Sequence, residues 1–384
     1  MRILLNGVPV VRQRTGIGWY TLRLAQALEA TGQVEAVGLA TATRLLTLSQ
    51  LQMLAPESPG SGHAAARRLV GRILPRLGRG MAGWLRTVRV HWASRDWSIF
   101  HETNYVGPRV ACPLVTTVAD LCYMRYPQFM PSGRCDWLRA NLARSLERSR
   151  AVVAISRFTR DEILDCFPQI DPARVFTTAL GVDHETFHPR RDEAEAAALR
   201  EQYGLPPRFV LYLGTLEPRK NLQGLADGYA LLPRELQQEF PLVLAGTPGW
   251  GSGYFHESIE RLRQQGLVRL TGYVPQQDVP GLMRAASVFC FPSFYEGFGL
   301  PALEAAACGT PVLSAAIEPL REILGEAAEY VEPDSPDDIA AGLARLLEQD
   351  ERRARLASLS IERAAPFTWA RCGEATLAAY RAAA

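Results

Sequence analysis

The sequence predicts an α/β protein of two doubly wound parallel-sheet domains facing across a cleft, and three observations predict it. At 384 residues the chain is longer than one hydrophobic core usually organises. Short apolar runs alternate with helical stretches along the chain, as strands joined by crossover helices do. Between about His184 and Arg208 the chain turns rich in proline and charge (FHPRRDEAEAAALREQYGLPPR), the composition of a domain boundary. The expected division is therefore 1–190 and 191–366, with a terminal helix at 367–384, after Pro366, packing back on the first domain.

The elements follow in order. A first strand, Arg2–Val8, leads through the polar glycine loop RQRTGIG into an amphipathic helix around Tyr20–Leu28. Further strands are expected at Ser98–His101, Leu114–Val118, Ala151–Ile155 and Val175–Ala179. In the second half, strands at 208–215, 241–246, 268–273, 288–292, 311–314 and 328–332 alternate with helical runs. Open sheets of this kind hold ligands at the carboxyl ends of their strands.

Composition (47% hydrophobic, 21% charged) is that of a soluble globular protein, and a net charge of +2 does not indicate a nucleic-acid binder. The seven cysteines are scattered without a C-x-x-C pair, so they read as reduced core thiols of a cytoplasmic protein. MRILLNGVPV lacks a signal-peptide core, and no stretch approaches the ~18 apolar residues of a membrane span. Residues 58–95 stand apart: Arg67, Arg68, Arg72, Arg76, Arg79, Arg86, Arg89 and Arg95 mix with Trp84 and aliphatic residues, without Asp or Glu. That mixture suits an anionic membrane surface, giving a peripheral location on the inner face of the membrane. A solvated helix pair accounts for it equally well; no nucleic-acid motif accompanies the charge.

The chemistry concentrates in VFCFPSFYEGFGLPALEAAACGTPVLSA, where Glu296 and Glu304 flank GFGLPAL. A strand, a glycine turn and a helix start with Pro301 form an anion site, because unpaired backbone N–H groups point at the ligand. Glu304 is expected in the first helical turn, where a carboxylate favours the helix dipole and is able to accept both hydroxyls of a ribose. Strand 208–215 ends in GTLEPRKN, placing Arg219 and Lys220 beyond its carboxyl end. Adjacent cations there would neutralise a diphosphate and stabilise charge on a leaving phosphate.

Residues 208–330 resemble the donor domain of retaining GT-B glycosyltransferases of glycosyltransferase family 4, through LGTLEPRKN, LAGTPGWG, LTGYVPQQDVPGLMRAA and the E-x7-E block. The first half is similar through its glycine loop, VADLCYMRYP, AISRFTRDEIL and ALGVDHETFHP. The resemblance implies a GT-B fold, with an N-terminal acceptor-side domain and a C-terminal donor domain. It also implies transfer of a hexose, mannose-like before glucose, from a nucleotide-diphosphate sugar to a saccharide or polyprenyl-linked acceptor in bacterial polysaccharide synthesis. Carried over by residue, Arg219 and Lys220 bind the diphosphate, Glu304 holds the ribose and Glu296 contacts the sugar. Backbone groups of Phe298, Gly299 and Leu300 line the donor, the base lies near Tyr273 and Val274, and Thr215 and Gly246 complete the donor set. Gly16 and Gly18 let the first domain's backbone approach the phosphates, and Asp120 contacts sugar or acceptor.

Many relatives carry His immediately before that Asp; here the position is Ala119. His101 is a candidate to compensate. A covalent intermediate needs a carboxylate on the far face of the sugar, and the sequence singles out none. The family instead implies same-face attack, with Glu296 orienting sugar hydroxyls. No D-x-D occurs, so no metal and no resident cofactor are expected. The alternatives are an epimerase or hydrolase of nucleotide sugars, and a non-catalytic nucleotide-sugar binder. A dehydrogenase fits less well, because Gly16 and Gly18 lack the third glycine of a dinucleotide fingerprint.

Overall fold

Each apolar run read in the sequence becomes a short strand, most of them buried, in the computed structural model, which is described over residues 1–11, 16–41, 44–52, 88–251 and 257–384. Arginines 67, 68, 72, 76, 79 and 86 of the basic segment lie outside the described residues, so the expected membrane surface of 58–95 lies largely outside them too. The first sheet comprises β1 (Arg2–Asn6), β2 (Ala36–Ala40), β3 (Leu45–Thr47), β4 (Ile99–Glu102), β5 (Leu114–Val118), β6 (Ala151–Ala154) and β7 (Val175–Thr177). Among the described residues its order is β3-β2-β1-β4-β5-β6-β7, parallel except for the β2–β3 pair. Helices cover such parallel strands on both faces, so their sequences read as continuous apolar runs rather than alternating ones.

The second sheet comprises β8 (Val210–Leu213), β9 (Leu242–Ala245), β10 (Val268–Gly272), β11 (Val288–Phe291), β12 (Val312–Ala315) and β13 (Ala328–Val331). Its order is β10-β9-β8-β11-β12-β13, all parallel. The order reverses between β8 and β11, and a ligand crevice opens outside the carboxyl ends of strands at such a point. Tyr212, Leu225, Tyr229, Phe240, Ile339 and Leu343 build the core beneath it.

The first strand stops at Asn6, two residues earlier than expected. The Asn6 side-chain oxygen accepts from the Val8 amide at 3.2 Å and turns the chain into the helix Val8–Val11. The expected loop at Gly16 and Gly18 is helix instead: both residues fall within the first turn of Gly16–Ala30, and neither has a positive φ.

The chain divides into two compact units. One comprises Met1–Leu121, Asp136–Gly181 and Trp369–Ala384; the other Cys122–Cys135 and Val182–Thr368. The terminal helix Trp369–Ala383 lies against Gly16–Ala30, so close at Gly373 that an added Cβ would stand 3.1 Å from that of Ala27. The stretch read as a boundary, 184–208, is folded within the second unit. Asp192 caps its helix Glu193–Tyr203 by accepting from Ala194 and Glu195, Gly204 (φ 59°) ends it, and Arg284 pairs with Glu195 at 2.7 Å.

Candidate functional site

Two loops meet at the point where the second sheet reverses. The one after β8 makes a single 3₁₀ turn, Pro218–Lys220, and ends at Asn221 in the left-handed region (φ 56°). The Asn221 side chain caps the helix Leu222–Ala230 by accepting from Gly224, and its amide donates to the Pro292 carbonyl at 3.1 Å. Arg219 ties the loops twice more: its carbonyl accepts from the Phe294 amide at 3.0 Å, and its guanidinium donates to the Tyr295 carbonyl at 2.8 Å. Glu296 therefore arrives beside both cations, accepting from Arg219 at 3.0 Å and from Lys220 at 2.6 Å.

Burial alone would raise the Glu296 carboxyl, but Arg219 and then Lys220 outweigh it and hold the group at about 2. Lys220 is pulled below its usual range by burial and by Arg219, against the attraction of Glu296. The carboxylate faces two cations, whereas the ammonium faces the Arg219 cation and the Glu296 and Glu217 carboxylates, with burial opposing its charge most strongly. Glu217 accepts from the other arm of Arg219 at 2.9 Å. The expected diphosphate cations thus stand in a neutral group of two cations and two carboxylates.

Beyond β11 the chain turns at Gly299, whose φ of 102° and clash distance of 2.3 Å (an added Cβ against Leu320) admit little but glycine. It is the N-cap of the helix Leu300–Ala307, with Pro301 at the second position. The Gly299 and Leu300 amides precede the helical ladder and so face outward from the helix start. Phe298 is buried, with its ring edge-on to Phe367, so only its backbone is placed to serve a ligand. Glu304 is not in the first turn as expected. The helix starts at Leu300, which puts Glu304 one turn further in and half-buried. Its dipole advantage is correspondingly smaller, because the effect fades within the first turn.

The carboxyl ends of β8, β9 and β10 close the other side. The Gly214 amide donates to Ala245, and the Gly246 amide to Gly272 at 2.9 Å. A Cβ at Gly246 would stand 1.9 Å from the Gly214 carbonyl oxygen, so backbone packing alone demands glycine there. Thr215 is exposed and accepts from the Tyr212 hydroxyl through its carbonyl. Tyr273 is 57% exposed and Val274 buried.

Gly16, Gly18 and Asp120 belong to the first unit, Gly16 with no atom of the described residues within 4 Å of where a side chain would start and Asp120 just beyond β5. His101 does not stand in for a catalytic histidine. It is fully buried, its Nδ1 lies 2.7 Å from the Tyr380 hydroxyl and its Nε2 2.7 Å from Thr117. Burial pushes it down to about 3, leaving a neutral ring with both nitrogens engaged. Among the described residues, no group of three or more His, Cys, Asp or Glu side chains is arranged to hold a metal ion. All seven cysteines are free, and no described helix is long and apolar enough to cross a membrane.

The sequence profile of the family described as Glycosyl transferases group 1 matches residues 196–363, and that of Glycosyltransferase Family 4 matches residues 14–186. The chain is 33% identical to the O-antigen chain mannosyltransferase B of Escherichia coli over 390 residues, covering 99% of this chain and 100% of that one. This chain belongs to glycosyltransferase family 4. Among solved structures, WaaG, a glycosyltransferase of lipopolysaccharide biosynthesis, superposes with a TM-score of 0.73 at 18% identity, over 99% of this chain and 98% of its own. HepE of Anabaena, solved with UDP and glucose, gives 0.71 at 19% identity, over 98% of each chain. These likenesses give the glycosyltransferase a GT-B fold.

Sequence reasoning missed several parts of this glycosyltransferase's site. Glu217 and Asn221 sit in the quoted GTLEPRKN, but only the 3₁₀ turn shows that one is a counter-charge and the other a tie. Four rings also escaped notice. Tyr126 stacks on Phe129 (5.7 Å, 18°), Phe129 on Phe294 (5.4 Å, 12°), and Tyr126 leans on Tyr295 at 5.5 Å. The segment Cys122–Cys135 thereby braces the two residues that precede Glu296. Phe129→Ala is expected to lower stability by roughly 1–2 kcal/mol, with Phe129→Tyr close to the parent. Urea denaturation checks it, and equal midpoints for Ala and parent would show that the stack bears no weight.

Proposed function

We propose that this glycosyltransferase is a retaining hexosyltransferase that moves mannose from a nucleotide-diphosphate sugar to a saccharide or polyprenyl-linked saccharide in bacterial polysaccharide synthesis. The observation that carries the reading is the convergence, at the sheet's reversal point, of Glu296, Arg219 and Lys220 with the helix bearing Glu304. The full-length similarity to an O-antigen mannosyltransferase supports mannose and an O-antigen-type acceptor. In this reading Lys220 and Arg219 turn toward the diphosphate, the Gly299 and Leu300 amides meet it from the helix start, and Glu304 accepts the ribose hydroxyls. Glu296 stays ionised and orients the sugar hydroxyls. The bond from the sugar's anomeric carbon to phosphate oxygen breaks while the acceptor oxygen bonds that carbon on the same face. The acceptor proton passes to the departing phosphate, releasing nucleoside diphosphate. The cations and amides supply the charge stabilisation at the leaving group, so the reaction is assigned no metal and no resident cofactor.

The test is a thermal-shift series with GDP, UDP, ADP and dTDP, followed by incubation with the matching sugar donor. GDP alone is expected to stabilise the fold, by about 2.7 kcal/mol at a hundredfold excess over its Kd. GDP-mannose is then expected to be consumed only when a mannan-type acceptor is present. Stabilisation by another nucleotide would replace the donor assignment. Conversion of the donor without acceptor would replace transfer by epimerisation or hydrolysis.

A further inference from the structure

At the edge of the first sheet opposite to Asp120, where the parallel strands begin, lies a cleft of about 550 Å³ that serves none of the chemistry above. Its walls include His91, Arg109, Cys112, Arg148 and Arg150. Arg109 and Cys112 precede β5, Arg148 and Arg150 precede β6, and His91 comes before β4. None of the three arginines meets a carboxylate within ion-pair distance among the described residues, in contrast to Arg219 or Arg284.

The walls are fixed. The Ala111 amide donates to the Ser94 hydroxyl at 2.9 Å, which donates to the His91 carbonyl. The Gly107 amide donates to Ser145, and Arg148 donates to the Gly107 carbonyl at 2.9 Å. The Arg150 amide donates to Leu114 at 2.7 Å. The backbone that carries the three arginines is thus held in place, while their side chains are exposed to solvent at the mouth of the cleft. Burial, and next the nearby Arg109, pull Arg148 below its usual value. Trp92, beside His91, is 59% exposed, and Arg95 lies over its ring at 3.5 Å.

We infer that Arg109, Arg148 and Arg150, which line one cleft, bind a phosphate group at a site separate from the donor site. A tetrahedral dianion or a phosphodiester supplies the missing counter-charge, and guanidinium groups match its oxygens in pairs. The same chemistry is offered by an anionic lipid headgroup and by free phosphate. Nothing in this assignment depends on the reaction proposed above.

The test uses the full chain as Arg109→Ser/Arg150→Ser, which spares the Arg148 tie to Gly107, and as the triple variant with Arg148→Ser. Co-sedimentation is measured with phosphatidylcholine vesicles, with and without phosphatidylglycerol. Thermal shift is measured with inorganic phosphate against chloride at equal ionic strength. Lys220→Met serves as the control for phosphate entering the donor site. If lipid is the source, partitioning onto phosphatidylglycerol vesicles falls by more than about tenfold in the double variant and further in the triple, and weakens with salt. If free phosphate is the source, both variants lose the phosphate-induced shift while Lys220→Met keeps it. Parent-like behaviour of both variants in both assays would overturn the site.

Discussion

Glu304→Ala is expected to weaken binding of the nucleotide donor by more than about 100-fold. Hydrogen bonds to a charged acceptor contribute about 1.5–3 kcal/mol each, and a ribose presents two hydroxyls to this carboxylate in the proposed arrangement. Glu304 is half-buried on a helix whose other faces are packed, so truncation is expected to leave the fold intact. Glu304→Gln keeps the shape and loses the charge, and it is expected to fall between the two. Calorimetry with the nucleoside diphosphate reads the effect directly. An affinity within a factor of about two of the parent would remove Glu304 from the ribose.

Glu296→Gln is expected to separate binding from transfer. Loss of this carboxylate removes the partner that the half-buried Arg219 and Lys220 share, leaving Glu217 beside Arg219. Breaking a buried pair in this way costs about 3–5 kcal/mol of stability. The freed cations should hold a bare nucleoside diphosphate at least as tightly as the parent does, whereas sugar transfer should fall by about 100-fold or more. Weaker diphosphate binding would instead mean that Glu296 itself organises the phosphate site. The variant also has a pH signature. The folded carboxyl sits at about 2 against an ordinary 4.5, so its contribution is complete above pH 4.5 and is lost as pH falls towards 2. The stability gap between parent and Glu296→Gln should narrow over that window and stay constant above it.

Strands at the heart of both sheets were legible because parallel strands buried on two faces must be apolar throughout, as VFCF and LVLA are. The pair β2 and β3 was not. AVGLA and LLT lack a run of β-branched residues, and the glycine within the first serves tertiary packing: a Cβ at Gly38 would stand 2.4 Å from the Trp97 ring. Gly16 and Gly18 suggested a loop because glycine disfavours helix interiors, yet that cost is about 1 kcal/mol and tertiary packing of Tyr20, Leu24 and Leu28 outweighs it. At the site, residue types and spacing picked out Arg219, Lys220, Glu296 and Glu304. They did not reveal that the first three are already paired, since Glu217 and Glu296 reach them only through the turn at Pro218 and the return after β11. The rings of Tyr126 and Phe129 had no local signature at all, because their partners Phe294 and Tyr295 lie far along the chain.

The division into units carries a consequence for how the molecule is made. The helix Trp369–Ala383 completes the first unit, covering Gly16–Ala30 and offering the Tyr380 hydroxyl to His101. A chain emerging from the ribosome presents β1, β4 and β5 early, but their cover is synthesised only after the whole of the second unit. Nascent domains generally fold in the order they appear; here the second unit has its sheet in hand while the first still exposes a buried histidine and an apolar helix face. The first unit finishes folding only when Trp369–Ala383 has followed the second unit out.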